Sequence, residues 1–104
     1  MHSEIAILHN GYPQQVRERV DEKIQSLVRY YDRLVSVRAT LERDHEHHRV
    51  ELVAHARRGS VLVVEEKAET FGKALDEAVH RMTRVLLRYK DKHESHRRKT
   101  RMRA

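Results

Sequence analysis

Apolar residues recur at steps of three and four in two stretches of the chain, a spacing that places them on one face of an α-helix. The first stretch covers residues 13–31, and Pro13 suits a first helical position because an N–H there would have no helical partner. The second covers residues 71–92 and follows Thr70, a suitable helix cap. The two apolar stripes are Val16, Val20, Ile24, Leu27, Val28 and Tyr31, and Phe71, Leu75, Ala78, Val79, Met82, Val85, Leu86 and Tyr89.

Four further stretches have the patterns of β-strands. Residues 4–9 are a short, mainly apolar run that ends at the turn-forming pair Asn10-Gly11. Residues 35–41 and 50–56 alternate between apolar and polar side chains, which is typical of a strand with one buried face. Residues 61–64 form a β-branched run after a turn at Arg58-Gly59.

The order of these elements predicts an α+β two-layer sandwich, β-α-β-β-β-α, with both helices on one face of a four-stranded mixed sheet. The first two strands should be parallel and joined by a right-handed crossover, and the remaining strands should form antiparallel hairpins. A chain of 104 residues has room for one hydrophobic core, so we expect a single domain over residues 1–96. Residues 97–104 are basic and poor in apolar side chains, and we expect a disordered tail.

Positive charge is concentrated near the C-terminus. The whole chain has a formal net charge of +6. Residues 80–104 contain ten Lys or Arg against Asp91 and Glu94, which gives +8 and leaves −2 for residues 1–79. This concentration favours a polyanionic partner, nucleic acid before an anionic membrane surface, although uneven charge also serves solubility.

The composition and motifs exclude several classes of protein. Cysteine is absent, which excludes disulfides, thiolate metal sites and a cysteine nucleophile. There is no run of about 18 uncharged apolar residues and no apolar signal core, so we expect a cytoplasmic protein with no membrane partner. A nucleophile elbow, a Gly-rich phosphate loop and an HExxH helix are also absent. We therefore expect no catalytic residue, no cofactor, no small-molecule substrate and no enzymatic activity.

A polar run between the second and third strands contains candidate metal ligands. His45, His47 and His48 lie there with Asp44 and Glu46, and imidazole and carboxylate groups bind transition metals. Three His in a turn lack a fixed fourth ligand and supporting hydrogen bonds, so we expect no metal site. The alternative is that this loop serves a metal-dependent or stress-signalling interaction with no role for RNA.

The second predicted helix has a basic face. With 100 degrees per residue and Phe71 at zero, five basic residues fall between about 200 and 300 degrees, away from the apolar stripe. Like charges at these spacings repel, and a phosphate backbone would compensate because each contact releases condensed counterions. The five residues are Lys73, Arg81, Arg84, Arg88 and Lys92.

The first predicted helix has a smaller basic set beside or opposite its apolar stripe. Tyr30 lies at the edge of this set as a candidate for stacking on a base. Taken alone, such a face is more typical of a solvated surface than of a binding site, and Glu18 and Glu22 dilute its charge. The basic residues are Arg19, Lys23, Arg29 and Arg33.

Two segments carry a resemblance to a known family. The first is VRERVDEKI at residues 16–24, continued by Leu27, Arg29, Tyr30, Tyr31 and Asp32; the second is Ala74-Leu75-Asp76 followed by Arg81, Met82, Arg84, Leu86, Arg88, Lys90 and Lys92. Together they resemble the hibernation-promoting factor and ribosome-associated inhibitor A family of bacteria and plastids, also called the sigma-54 modulation protein family. The predicted order of elements is also that family's fold. The chain departs from the family pattern at Gly72, where an aromatic is common, and in its His-rich loop.

The resemblance implies a translation inhibitor of resting or stressed cells that occupies the channel for transfer RNA and messenger RNA on the small ribosomal subunit. The chain looks like the short type, so that ribosome pairing would need a second factor. The alternative is a general binder of structured, double-stranded RNA. The residues that the resemblance implies as RNA contacts are Lys23, Arg29, Arg81, Arg84, Arg88, Lys90 and Lys92.

Overall fold

Strands and helices follow one another in the predicted order. The structure, a computed structural model, describes the backbone of residues 1–8 and 12–102, and the side chains of these residues except 58 and 94–102. Short 3-10 helices follow α1 at Ser26–Arg29 and β3 at Arg57–Gly59. The main elements are β1 (His2–Ile7), α1 (Gln14–Gln25), β2 (Leu34–Asp44), β3 (His47–Ala56), β4 (Val61–Ala68) and α2 (Phe71–Met102).

The four strands form one sheet in the order β1-β2-β3-β4. β1 runs parallel to β2, with Ile5 opposite Ala39. β2 and β3 are antiparallel, as are β3 and β4, so that Leu52 of β3 lies between Ala39 and Val64. This register confirms the predicted α+β fold with a mixed, four-stranded sheet.

Both helices bury their apolar stripes against the same face of the sheet. α1 packs over β1 and β2, and α2 packs over β3 and β4. Ile24 of α1, Leu52 of β3 and Met82 of α2 have no exposed surface and belong to one core cluster. The opposite face of the sheet has no helix over it in the part of the chain that the structure describes, and Val61 and Val63 are exposed there. The molecule therefore has a helical side and an uncovered sheet side.

The ends of several elements differ from the prediction. α1 ends at Gln25 instead of continuing to residue 31, because the Ser26 hydroxyl donates a hydrogen bond to the Lys23 carbonyl and the chain tightens into the 3-10 helix. β1 occupies residues 2–7 instead of 4–9, and the predicted turn at Asn10-Gly11 lies outside the described residues.

The polar run predicted as a loop between β2 and β3 is mostly paired strand. Asp44 lies opposite His47, which leaves two residues for the turn. His45 has a φ of 53°, a left-handed conformation that lets the turn close within this short length. The residues at these strand ends are polar on both faces of the sheet, so they lack the apolar–polar alternation that predicts a strand.

α2 begins at the predicted cap and extends further than predicted. The Thr70 side chain accepts a hydrogen bond from the Lys73 backbone N–H at 3.2 Å, so the predicted cap is confirmed. The helical backbone continues to Met102, beyond the predicted end near Lys92. It thus includes most of residues 97–104; that this segment is disordered in solution stays a prediction. Within the described ranges, no helix has the length and apolar character needed to cross a bilayer.

The difference in burial between Leu52 and Val63 predicts different losses of stability when each is replaced by alanine. Leu52→Ala should lower the free energy of unfolding by about 2 to 5 kcal/mol, because Leu52 is fully buried in the core. Val63→Ala should lower it by less than about 1 kcal/mol, since 58% of Val63 is exposed. Urea denaturation followed by circular dichroism measures both, and equal losses would contradict the assignment of the buried face.

Candidate nucleic-acid interface

α2 carries a row of basic side chains on the side turned away from the core. Its apolar side is fully buried through Leu75, Met82 and Leu86, so residues at the opposite angles must face solvent. The row spans about 16 Å at 1.5 Å per residue. We name it the α2 ridge; its members, all exposed, are Arg81, Arg84, Arg88 and Lys92.

Arg81 is held by a carboxylate of the same chain. Its Nη1 donates a hydrogen bond to Glu66 Oε1 of β4 at 3.0 Å. The Arg81 side chain remains 55% exposed, and ion pairs at such positions contribute at most about 1 kcal/mol. The pair shows that this side of α2 faces β4, and an RNA phosphate would have to compete with Glu66 for the guanidinium.

The other three members of the α2 ridge have unneutralised charge. Among the side chains that the structure describes, Arg84, Arg88 and Lys92 form no ion pair and no hydrogen bond. Glu77 and Asp91, which helix geometry places on the same arc, do not pair with them either. These three cations are therefore available to a phosphate without breaking an internal contact.

The remaining three basic residues, Lys23, Arg29 and Lys90, lie outside the α2 ridge. Lys23 Nζ of α1 lies 3.5 Å from Asp76 Oδ1 of α2 and links the helices. Nine residues separate Lys90 from Arg81, which places it about 180 degrees round α2, on the side of Asp76. The 3-10 helix that carries Arg29 also contacts α2. We name these three residues the inter-helix group.

The seven residues implied by the family resemblance thus do not share one face. They divide between the α2 ridge, on the β4 side of α2, and the inter-helix group, on the α1 side. The two internal partners, Glu66 and Asp76, were missed by the sequence analysis. Glu66 belongs to a strand and lies 15 residues from Arg81, so helical periodicity contained no signal for that pair.

Only part of the basic set predicted for the first helix lies on that helix. Arg29 belongs to the 3-10 helix, and Arg33 lies in the turn before β2, so the prediction that α1 carries both is wrong. Tyr30 follows the 3-10 helix and is 40% exposed, which leaves its ring free to stack on a base. Tyr31 is buried and meets Tyr89 edge to face, with 5.4 Å between ring centroids. The Tyr89 hydroxyl also donates a hydrogen bond to Ser60 Oγ, so Tyr89 has a structural role.

On the uncovered sheet side, Arg49 is surrounded by carboxylates. The guanidinium of Arg49 on β3 contacts three carboxylates. Its Nη1 lies 3.2 Å from Glu42 Oε2, its Nη2 3.8 Å from Glu51 Oε2 and its Nε 2.8 Å from Glu65 Oε1. Hydrogen bonding to Glu65, together with the charges of all three carboxylates, raises the pKa of Arg49. An excess of carboxylates around one guanidinium disfavours a phosphate on this side.

The His-rich hairpin does not assemble a metal site. Among the described residues there is no group of three or more side chains that could hold a metal ion. His45 is exposed and pairs with Asp44 at 3.7 Å, whereas His48 Nδ1 lies 2.6 Å from the Tyr12 hydroxyl oxygen. Burial raises the pKa of Tyr12, and the nearby charge of Arg43 acts in the opposite direction. Tyr12 also packs on Phe71, so this contact ties the hairpin to the start of α2.

Comparison with known proteins places the chain in a family. The chain belongs to the sigma 54 modulation protein / S30EA ribosomal protein family, whose model matches residues 8–94. Members of this family are ribosome-associated factors and not enzymes. This confirms the family resemblance of the two helical segments. No curated protein matches the chain significantly.

Solved structures show the same fold. A ribosomal subunit interface protein from Coxiella burnetii is similar with a TM-score of 0.79 and 16% identity, over 88% of this chain and 99% of that one. The N-terminal domain of Protein Y from Thermus thermophilus is similar with a TM-score of 0.75 and 26% identity, over 86% of this chain and 99% of that one.

Because the Arg81–Glu66 pair lies at the surface, we expect it to contribute little coupling energy to the free energy of unfolding. A double-mutant cycle with Arg81→Ala and Glu66→Ala should give a coupling of about 0.2 to 1 kcal/mol in the free energy of unfolding, and this should fall as salt rises. Urea denaturation at low and high salt measures it. A coupling above about 2 kcal/mol would show that Arg81 is a structural residue instead of an accessible cation.

Proposed function

We propose that the chain is a ribosome hibernation factor that binds the ribosomal RNA of the small subunit through its helical side. On the subunit it occupies the channel for transfer RNA and messenger RNA and inhibits translation. Family membership supports the ribosome as the target. The single observation that carries the proposal is that Arg84, Arg88 and Lys92, on one side of an exposed helix, have no ion-pair partner among the described side chains.

Electrostatics explains why this side would meet RNA. Each Lys or Arg that neutralises a phosphate releases condensed counterions, which contributes the greater part of salt-dependent affinity. Arg also forms two parallel hydrogen bonds with a phosphate, and its flat guanidinium stacks on exposed bases. The RNA contacts in this proposal are the α2 ridge and the inter-helix group. Because these two sets lie on different sides of α2, the best partner is folded RNA that presents phosphates to both sides of α2.

Occupancy alone is enough for inhibition. The chain offers a rigid two-layer body and charged side chains, and a body lodged in the channel excludes transfer RNA by its volume. The proposal includes no cofactor, metal or small-molecule substrate. It places the protein in the cytoplasm of resting or stressed cells, and any pairing of ribosomes would require a second factor.

Charge reversal on the α2 ridge tests the proposal. Arg84→Glu with Arg88→Glu should weaken binding to isolated small subunits by at least about tenfold at roughly 150 mM salt, because two free cations become repulsive. The control is Arg38→Glu with Lys67→Glu, which makes the same charge change on the uncovered sheet side and breaks the Lys67–Asp44 ion pair. It should bind within about twofold of the unaltered chain, and circular dichroism checks that it is folded. Sedimentation with purified subunits measures both, and inhibition of a translation extract should follow binding.

Three results would contradict the proposal. The Arg84/Arg88 variant could bind and inhibit like the control, which would remove the α2 ridge from the interface. Transfer RNA could fail to compete with the protein, which would place the protein outside the channel. Bare duplex RNA could bind as tightly as small subunits, which would favour a general binder of double-stranded RNA.

A further inference from the structure

An open pocket of about 320 Å³ lies at one end of the sheet, where β2 begins and β3 ends. It belongs to neither the α2 ridge nor the inter-helix group, because none of its lining residues is a member of either. The lining comes from the turn before β2, the start of β2 and the 3-10 helix after β3. The lining residues are Asp32, Arg33, Leu34, Val35 and Arg57.

Backbone contacts fix the two arginines of this pocket relative to each other. The Arg57 N–H donates a hydrogen bond to the Arg33 carbonyl at 3.1 Å. The turn that carries Arg57 is closed by a hydrogen bond of 2.9 Å from the Ala56 N–H to the Ser60 carbonyl, and Gly59 supplies the left-handed residue with a φ of 82°. The two guanidinium groups therefore start from one rigid stretch of paired backbone.

A β-bulge shapes the pocket wall. The register of β2 against β3 shifts between Leu34, which lies opposite Ala56, and Ser36, which lies opposite His55. The extra residue, Val35, is 54% exposed at the pocket. Bulges redirect side chains at the ends of strands and are frequent beside functional sites.

The charge of the pocket is unsatisfied. In the described part of the chain, neither the Arg33 nor the Arg57 side chain forms an ion pair or a hydrogen bond. The two arginines and Asp32 give the lining a formal charge of +1, and Asp32 pairs with neither arginine. Two guanidinium groups in one concavity offer the paired donors that phosphate oxygens accept.

We propose that this pocket binds a phosphate group of an RNA strand. Its volume of about 320 Å³ lies at the lower end of the ~300 to 1,000 Å³ of small-ligand sites. Tyr30, two residues before Asp32, offers an exposed ring on which the neighbouring base can stack. The proposal deepens the proposed function and rests on it only for the source of the RNA: it adds a contact at the end of the sheet.

Titration of the free protein tests the pocket without ribosomes. Backbone amide signals of residues 32–35 and 57 should shift and saturate in nuclear magnetic resonance spectra as inorganic phosphate is added. The shifts should be lost in the Arg33→Gln/Arg57→Gln variant and retained in Arg38→Gln, a control on the outer face of β2. Absence of a saturable shift in the unaltered chain, or an equal shift in the double variant, would overturn the proposal.

A second probe identifies the source of the phosphate. A short single-stranded oligouridylate should shift the same amides at concentrations at least about tenfold lower than inorganic phosphate, because stacking on Tyr30 adds to the phosphate contact. Equal concentrations would assign the pocket to free phosphate and overturn the RNA assignment. Arg57→Gln alone provides a milder variant, since Arg57 is exposed and its side chain has no structural partner among the described residues.

Ribosome binding then separates this proposal from the proposed function. Arg33→Gln/Arg57→Gln should bind small subunits about tenfold more weakly, and its plot of log affinity against log salt should be shallower by about one to two units, whereas Arg38→Gln should match the unaltered chain. If the double variant also matches it, the pocket does not contact ribosomal RNA and the proposal is overturned. If the unaltered chain fails to bind subunits, the proposed function fails, and the two titrations still decide what the pocket binds.

Discussion

Burial of two helix faces against a single side of one sheet is the constraint on which the rest of this molecule depends. Leu52 of the sheet, Ile24 of α1 and Met82 of α2 are fully buried in the one core that forms on that side. Among the residues that the structure describes, no other element covers the exposed faces of the helices. Any charged residue on those faces must project into solvent on the same side of the molecule. The basic surface is therefore a consequence of how the core closes.

The two sides of the sheet treat positive charge in opposite ways. On the uncovered side, Arg49 meets three carboxylates, and its charge is neutralised within the sheet. On the helical side, Arg84 and Arg88 have no acidic partner among the described residues. A polyanion approaching from solution is thus attracted to one side, and this orientation operates before any specific contact forms. Orientation of this kind suits a protein whose proposed target is surrounded by phosphate.

Hydrophobic periodicity was enough to predict the order of elements, the pairing of strands and the buried stripes, because these depend on which face of each element is apolar. It failed where polar groups decide the structure. Ser26 ends α1 through a hydrogen bond to the backbone, and the Asp44–His47 pair extends a hairpin whose residues are polar on both faces. The Arg81–Glu66 pair and the Arg33–Arg57 pocket join residues that are distant in the chain. Such pairs become visible only when the sheet register is known.

We propose that the helical side, and not the uncovered sheet side, lies against ribosomal RNA. Site-specific photocrosslinking measures this directly, with a photoreactive amino acid at Leu87, which is 40% exposed on α2, or at Val63, which is 58% exposed on β4. Both positions are exposed and apolar, so each tolerates the probe and serves as the control for the other. We expect crosslinks to the ribosomal RNA of the small subunit from position 87 and few from position 63. Crosslinks of equal yield from both positions, or from position 63 alone, would contradict the account.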